Sequence, residues 1–211
     1  MDFEMGYFAF VRALTLDRFR LLRRRRLFPV LLAGLPFHLL AACSSAPRVT
    51  YDLTPAEGFA ARGGRGQLAV LLPDAILPAD SDRIVVRTNP QSVAYLFGAQ
   101  WADKLPSLVQ SRLIESFQNA HLLRAAGRPG MLADVSLQTS IRRFELDAAR
   151  GAAIVEISAQ IIGPSGRITG ARIFAANVPA PSSDPAVVAA ALDAALAQIM
   201  REIVIWTAPK I

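Results

Sequence analysis

Side chains that carry chemistry are scarce in this chain. Its 211 residues include one cysteine, Cys43, and two histidines, His38 and His121. A single cysteine makes no internal disulfide and no thiolate cluster, and as a nucleophile it needs a base beside it. His121 alone cannot supply a zinc cluster. Outside the N-terminal segment it is also the only base open to a Ser-His-Asp arrangement. A lone histidine near a helix end is more often a surface or capping residue. The run Arg62-Gly63-Gly64-Arg65-Gly66 lacks the Lys-Ser/Thr ending of a phosphate loop, and no helix follows it. The aspartates within Asp74–Asp82 lack the spacing and distal Glu of a calcium loop, which leaves a solvated loop. Glu145 and Asp147 share one strand face. Paired carboxylates reveal themselves only in three dimensions, and an alternating solvent face accounts for these two equally well. The balance favours a non-enzyme with no catalytic residues, no metal and no cofactor.

A membrane-spanning run is lacking too. The longest apolar stretch near the N-terminus, Leu27 to Leu40, is shorter than the roughly 20 residues a bilayer demands. It has the length of a secretory h-region, and Arg23–Arg26 stands before it as the positive-inside rule expects. Leu40-Ala41-Ala42-Cys43 then looks like a bacterial lipobox. Small residues open the backbone to a peptidase, and Cys43 becomes the acylated first residue. Of 23 Lys and Arg residues seven precede Cys43, against three of 17 Asp and Glu; beyond it 16 basic residues face 14 acidic ones, a net of +2. The formal charge of +6 therefore belongs mostly to the segment to be removed. The basic run Arg23–Arg26 also lacks interleaved aromatics, so no nucleic-acid partner is expected. Residues 1–42 read as a lipoprotein signal peptide, 43–48 as the lipidated N-terminus and tether, and 49–208 as the folded domain. Two or more acyl chains on Cys43 would hold the protein stably on a membrane. By resemblance to other lipoproteins, Ser44 after the cysteine implies the outer membrane and its periplasmic face.

Within the domain, Val49–Leu53 alternates as a short edge strand, and Gln67–Leu72 reads as a buried strand. If the first is a strand, the tether is only about five residues and reaches at most roughly 17 Å; otherwise it runs to Gly66. Arg83–Arg87 and Ser92–Phe97 flank the turn signal Asn89-Pro90-Gln91-Ser92, a hairpin. Asp103–Ala120 is a helix, capped by Asp103, with Leu105, Leu108, Val109, Leu113 and Phe117 on one face. His121–Arg124 is a candidate short strand. Three long strands follow as an antiparallel meander. The first switches parity between Ile141 and Phe144, the signature of a β-bulge near Arg142-Arg143. Asp184 and Pro185 open a last helix whose stripe runs from Val188 to Trp206, with small alanines that permit close packing. The expected fold class is α/β: a single domain with a mixed, largely antiparallel sheet and two main helices packed on it, a layered α/β sandwich.

Tyr95, Leu96, Phe97 and Trp101 form the densest aromatic cluster. Two readings stand open: they fill the core where the hairpin meets the first helix, or they form an apolar patch for a protein partner or acyl chain.

Arg83-Ile84-Val85-Val86-Arg87, Val93-Ala94-Tyr95, Gln100-Trp101-Ala102-Asp103-Lys104-Leu105-Pro106 and the helix from Leu108 to Phe117 resemble the ABC-type transport auxiliary lipoprotein family. Its PqiC-like members accompany Mce-domain proteins. Tyr51-Asp52-Leu53 matches the family's opening strand. The resemblance implies helices on a mixed sheet and an outer-membrane-anchored partner of a lipid transport machine. There, an Mce-domain protein carries phospholipid, driven by an inner-membrane permease and ATPase. It implies no catalytic residues, and only Cys43 takes a defined role. A homo-oligomer would suit ring-shaped partners. The alternative is a carrier that holds an acyl chain in a cavity of several hundred cubic ångströms between sheet and helices. An anchored hydrolase would need a cleft with a perturbed carboxylate.

Overall fold

The architecture grows from one long strand, Val135–Asp147 (β8 in chain order). On one side it pairs antiparallel with β9 (Ala152–Ile162), which pairs antiparallel with β10 (Ile168–Pro179). Gly151 (φ +58°) and Gly166 (φ +78°) occupy the two tight connections, where a left-handed backbone favours glycine. The expected meander is present. So is the bulge: Ile141 faces Ile157 while Arg143 faces Glu156, one residue short of regular register. The shift keeps Leu137, Ile141, Phe144 and Leu146 all in the core.

The computed structural model describes residues 47–130 and 132–211. The signal peptide and Cys43 expected from the sequence lie outside the described residues.

The other edge of β8 is shared by three short parallel strands in succession. They are β2 (Gln67–Val70), β3 (Asp74–Ala75) and β4 (Val85–Asn89). Asp74 and Ala75, expected in a solvated loop, thus belong to a strand. β4 turns back antiparallel into β5 (Ser92–Tyr95), the expected hairpin. β2 takes a parallel partner, β7 (Ala125–Gly127). Away from this sheet, β1 (Val49–Tyr51) pairs parallel with β6 (Ala99–Trp101). The result is the mixed α/β sheet anticipated, with its parallel pairs at the short strands.

Both helices, α1 (Leu105–Ala120) and α2 (Pro185–Thr207), pack on one face. Asp184 caps α2, its Oδ1 accepting from the N–H groups of Ala186 (2.9 Å) and Val187 (3.3 Å). Val188, Leu192, Ala195, Leu196, Ile199, Met200, Ile203 and Val204 of α2 are all fully buried, a band wider than one stripe. The helix touches α1 as well as the sheet, so its apolar surface extends around it. Trp206 closes the stripe edge-on to Phe174, with ring centroids 5.6 Å apart.

Two expected helix ends move. Lys104, not Asp103, is the N-cap residue of α1, and no side chain caps it. Asp103 instead accepts from the neighbouring Lys104 N–H (2.7 Å), which keeps it from the helix. At the other end His121 adopts a left-handed conformation (φ 53°) and its N–H donates to the Gln118 carbonyl. That stops the helix, and the next residues turn the chain, so the short strand begins at Ala125 rather than His121.

The segment after β1 is fastened to the helices. Leu53 and Ala56 are buried; Ala56 N–H donates to Ser116 Oγ (2.8 Å), and Asp193 accepts from both the N–H and the hydroxyl of Thr54 (2.7 Å each). The folded domain thus begins at Val49 rather than at Gly66. The glycine-rich run lies against the C-terminal turn. A Cβ on Gly64 would come within 2.5 Å of the Ala208 carbonyl oxygen, a close approach that only glycine permits.

Candidate functional site

Backbone alternation divides the aromatic cluster. Along Tyr95-Leu96-Phe97, successive side chains point to opposite faces. Leu96 (6% exposed) enters the core, while Tyr95 (41%) and Phe97 (87%) face out. Gly98 (φ +71°) then shifts the parity, so Ala99 and Trp101 (1% exposed) point inward. Trp101 packs edge-on against Phe144 at 5.7 Å. This burial withdraws Leu96 and Trp101 from the candidate contact residues, because a core side chain meets no partner. Tyr95 and Phe97 retain an open surface. Arg83 stacks its guanidinium 4.7 Å from the Tyr95 ring, a cation–π contact that leaves the ring edge free.

The sheet face opposite the helices carries a second cluster. Arg143, Glu145 and Asp147 alternate along β8 beyond the bulge, and β4 brings Arg87 opposite Asp147. Glu145 receives two parallel bonds from Arg87, Nε to Oε1 at 2.7 Å and Nη2 to Oε2 at 2.9 Å. Arg143 adds Nε and Nη2 contacts to Oε1 at 2.8 and 2.7 Å. Arg150 reaches Asp147 at 3.6 Å. Arg87, Asn89, Pro90, Arg143 and Arg150 border a shallow groove of about 300 Å³ here. Burial pushes the Glu145 carboxyl up, but the bonds from Arg87 and Arg143 outweigh that and hold it below the usual range. The charges are locked in ion pairs, and Glu145 holds no proton to donate at neutral pH. Glu145 is therefore the fixed charge at the centre of an ion-pair network and not a general acid. Its sequence signal was the alternation of charge on β8; the covering Arg87, from another strand, had none.

His121 lies exposed at the end of α1. Among the described residues no group of three or more His, Cys, Asp or Glu side chains is placed to hold a metal ion. No helix among them is long and apolar enough to cross a membrane. Other grooves lie on the open sheet face, one of about 560 Å³ along Arg142, Ser158, Gln160 and Ile173, and another of about 370 Å³ beside Ile76 and Arg142. The space between helices and sheet, where an acyl-chain cavity was expected for a carrier, is occupied by Phe174, Ile157, Ile161, Leu192, Ile199 and their neighbours.

Residues 51–204 match the family described as ABC-type transport auxiliary lipoprotein component. An uncharacterised protein of Bradyrhizobium diazoefficiens is 37% identical over 186 residues, covering 84% of this chain and 49% of its own length. The chain thus spans about half the length of that relative. A crystal structure from Xanthomonas campestris, of a protein assigned to a family of unknown function, superposes with a TM-score of 0.70 at 31% identity. It covers 76% of this chain and 95% of the other. A second crystal structure, of an uncharacterised protein, shares the fold at TM-score 0.63 and 14% identity, covering 75% and 97% of the two chains. The matched family is one of auxiliary transport components rather than of enzymes. This chain belongs to the family of ABC-type transport auxiliary lipoprotein components.

Proposed function

We propose that this protein is a non-catalytic lipoprotein, held by acylated Cys43 on the periplasmic face of the outer membrane, that serves an Mce-type lipid transport system. In this reading residues 1–42 are removed, 43–48 form the lipidated tether, and 49–208 dock the machinery. The partners are an Mce-domain substrate-binding protein and its inner-membrane permease and ATPase. Phospholipid is the cargo of that machine, passed without entering this domain. The observation that carries the reading is the family match over residues 51–204, preceded in the sequence by Leu40-Ala41-Ala42-Cys43.

The division of surfaces supports it. Both helices are committed to the core, whereas the opposite sheet face, with Arg87, Arg142, Arg143 and Arg150, is free to meet a partner. Rigid guanidiniums already oriented by carboxylates lose little entropy on contact with an acidic protein surface.

The test is co-purification from membranes, using the full-length chain with a linker-separated C-terminal tag and Cys43→Ala as control. Recovery of an Mce-domain protein with the acylated chain is the expected result. Recovery of outer-membrane or cell-wall components alone would refute the transport role.

A further inference from the structure

Phe97, the most exposed aromatic side chain among the described residues (87%), stands at the place where the membrane tether enters the domain. β1 and β6 run parallel, with Val49 opposite Ala99. Continuing that register outward sets Arg48 beside Gly98 and Pro47 beside Phe97. The Val49 N–H donates to the Gly98 carbonyl (2.8 Å), so the two segments remain joined up to the exit point. Pro47 lies four positions after Cys43, a span of at most about 14 Å when fully extended. An acylated Cys43 therefore brings the Phe97 turn within reach of the headgroup layer.

We propose that this turn is a second membrane contact, with Phe97 inserted into the phospholipid interface of the leaflet that holds Cys43. The inference rests on the anchored-lipoprotein reading and adds a surface and an orientation to it. Gly98, in the left-handed region with open space around its Cα, turns the chain so that Phe97 projects away from the core. Val49 (55% exposed) lies on the joined strand, and Tyr95 on the same outward parity. An exposed aromatic with a half-exposed tyrosine behind it is the arrangement found where chains meet the water–lipid boundary. Charge agrees: neither Pro47–Thr50 nor Ser92–Gln100 contains an Asp or Glu, while Arg48 and Arg83 flank the turn. Arg48 bonds Gln100 and Arg83 stacks on Tyr95, so both cations sit beside the apolar residues, toward anionic headgroups. With the tether and the turn both in the membrane, the domain holds one fixed tilt instead of swinging on its acyl chains.

The test uses full-length acylated protein in vesicles of phosphatidylethanolamine and phosphatidylglycerol, with and without brominated acyl chains. Phe97→Trp reports on the turn. Leu132→Trp is the control, since Leu132 is equally open (94%) but precedes the start of β8. The turn joins the sheet near the far end of that strand, about 30 Å away. After subtraction of the wild-type signal from Trp101 and Trp206, the Phe97→Trp emission should be blue-shifted and quenched by bromolipid. The Leu132→Trp emission should show neither change. Red-shifted, unquenched emission from Phe97→Trp, in acylated protein that floats with the vesicles, would overturn the proposal and leave the anchor intact. Mass spectrometry of the N-terminal peptide separates the other failure: a Cys43 without acyl mass sinks the anchored reading, and the inserted turn with it.

Discussion

Replacing Glu145 with glutamine removes a negative charge from beneath two guanidinium groups while preserving the side chain's shape. The Glu145 side chain is 4% exposed and those of Arg87 and Arg143 are 30% exposed. Removing one partner of a fully buried ion pair costs about 3–5 kcal/mol. Here water reaches both arginines and the amide oxygen still accepts a bond, which reduces the expected loss to about 2 kcal/mol. With an m-value of about 2 kcal/mol per molar, the urea midpoint of the chain starting at Ser44 falls by about 1 M at pH 7. The pH dependence has a definite sign. The Glu145 carboxyl is held below its ordinary value in the folded state, as hydrogen bonds from Arg87 and Arg143 outweigh the upward push of burial. Its stabilisation is therefore fully present above the unfolded carboxyl value of about 4.3 and fades as pH falls through the lower folded value. Wild type should weaken over that acid window, and Glu145→Gln should show a shallower fall. A variant within about 0.5 kcal/mol of wild type at pH 7, with an unchanged acid limb, would mean that the network is solvated surface charge and the reasoning is wrong.

Other substitutions separate core from surface. Trp101→Ala should cost about 3–5 kcal/mol, whereas Phe97→Ala should leave stability within about 0.5 kcal/mol of wild type, both read by urea unfolding. Equal losses would contradict the opposed orientations of these side chains. Asp184→Ala should cost about 1 kcal/mol by freeing two N–H groups at the start of α2, and Asp184→Asn should recover most of it. Gly64→Ala should cost about 1–3 kcal/mol, because its methyl must displace the C-terminal turn at Ala208; a thermal midpoint equal to wild type would show that the turn yields freely.

Much of the fold was legible where the interaction is local. The alternation of β9, the parity switch at Ile141–Phe144 and the Asp184-Pro185 opening of α2 each depend on residues a few positions apart. The same logic reached the β4–β5 hairpin through Asn89-Pro90. It failed at Asp103, where the capping residue type is present but its carboxylate bonds the adjacent N–H instead. It failed again at His121, where a left-handed residue consumed the turn on which an early strand was expected. The aromatic cluster was half legible. Tyr95-Leu96-Phe97 alternates as any strand does, but the parity change at Gly98 decides that Trp101 joins Leu96 inside.

By itself the sequence determined the meander, both helices, the single cysteine and the poverty of catalytic groups. These follow from composition, spacing and periodicity, which act over a few residues. Only the tertiary structure decided that β2, β3 and β4 share one edge of β8, that Arg87 covers Glu145 across 58 residues of sequence, and that Gly98, next to Phe97, bonds Val49. Those pairings hold together residues far apart in the chain. Each depends on the whole sheet closing in one register, and no local pattern encodes which distant strand will fill an open edge.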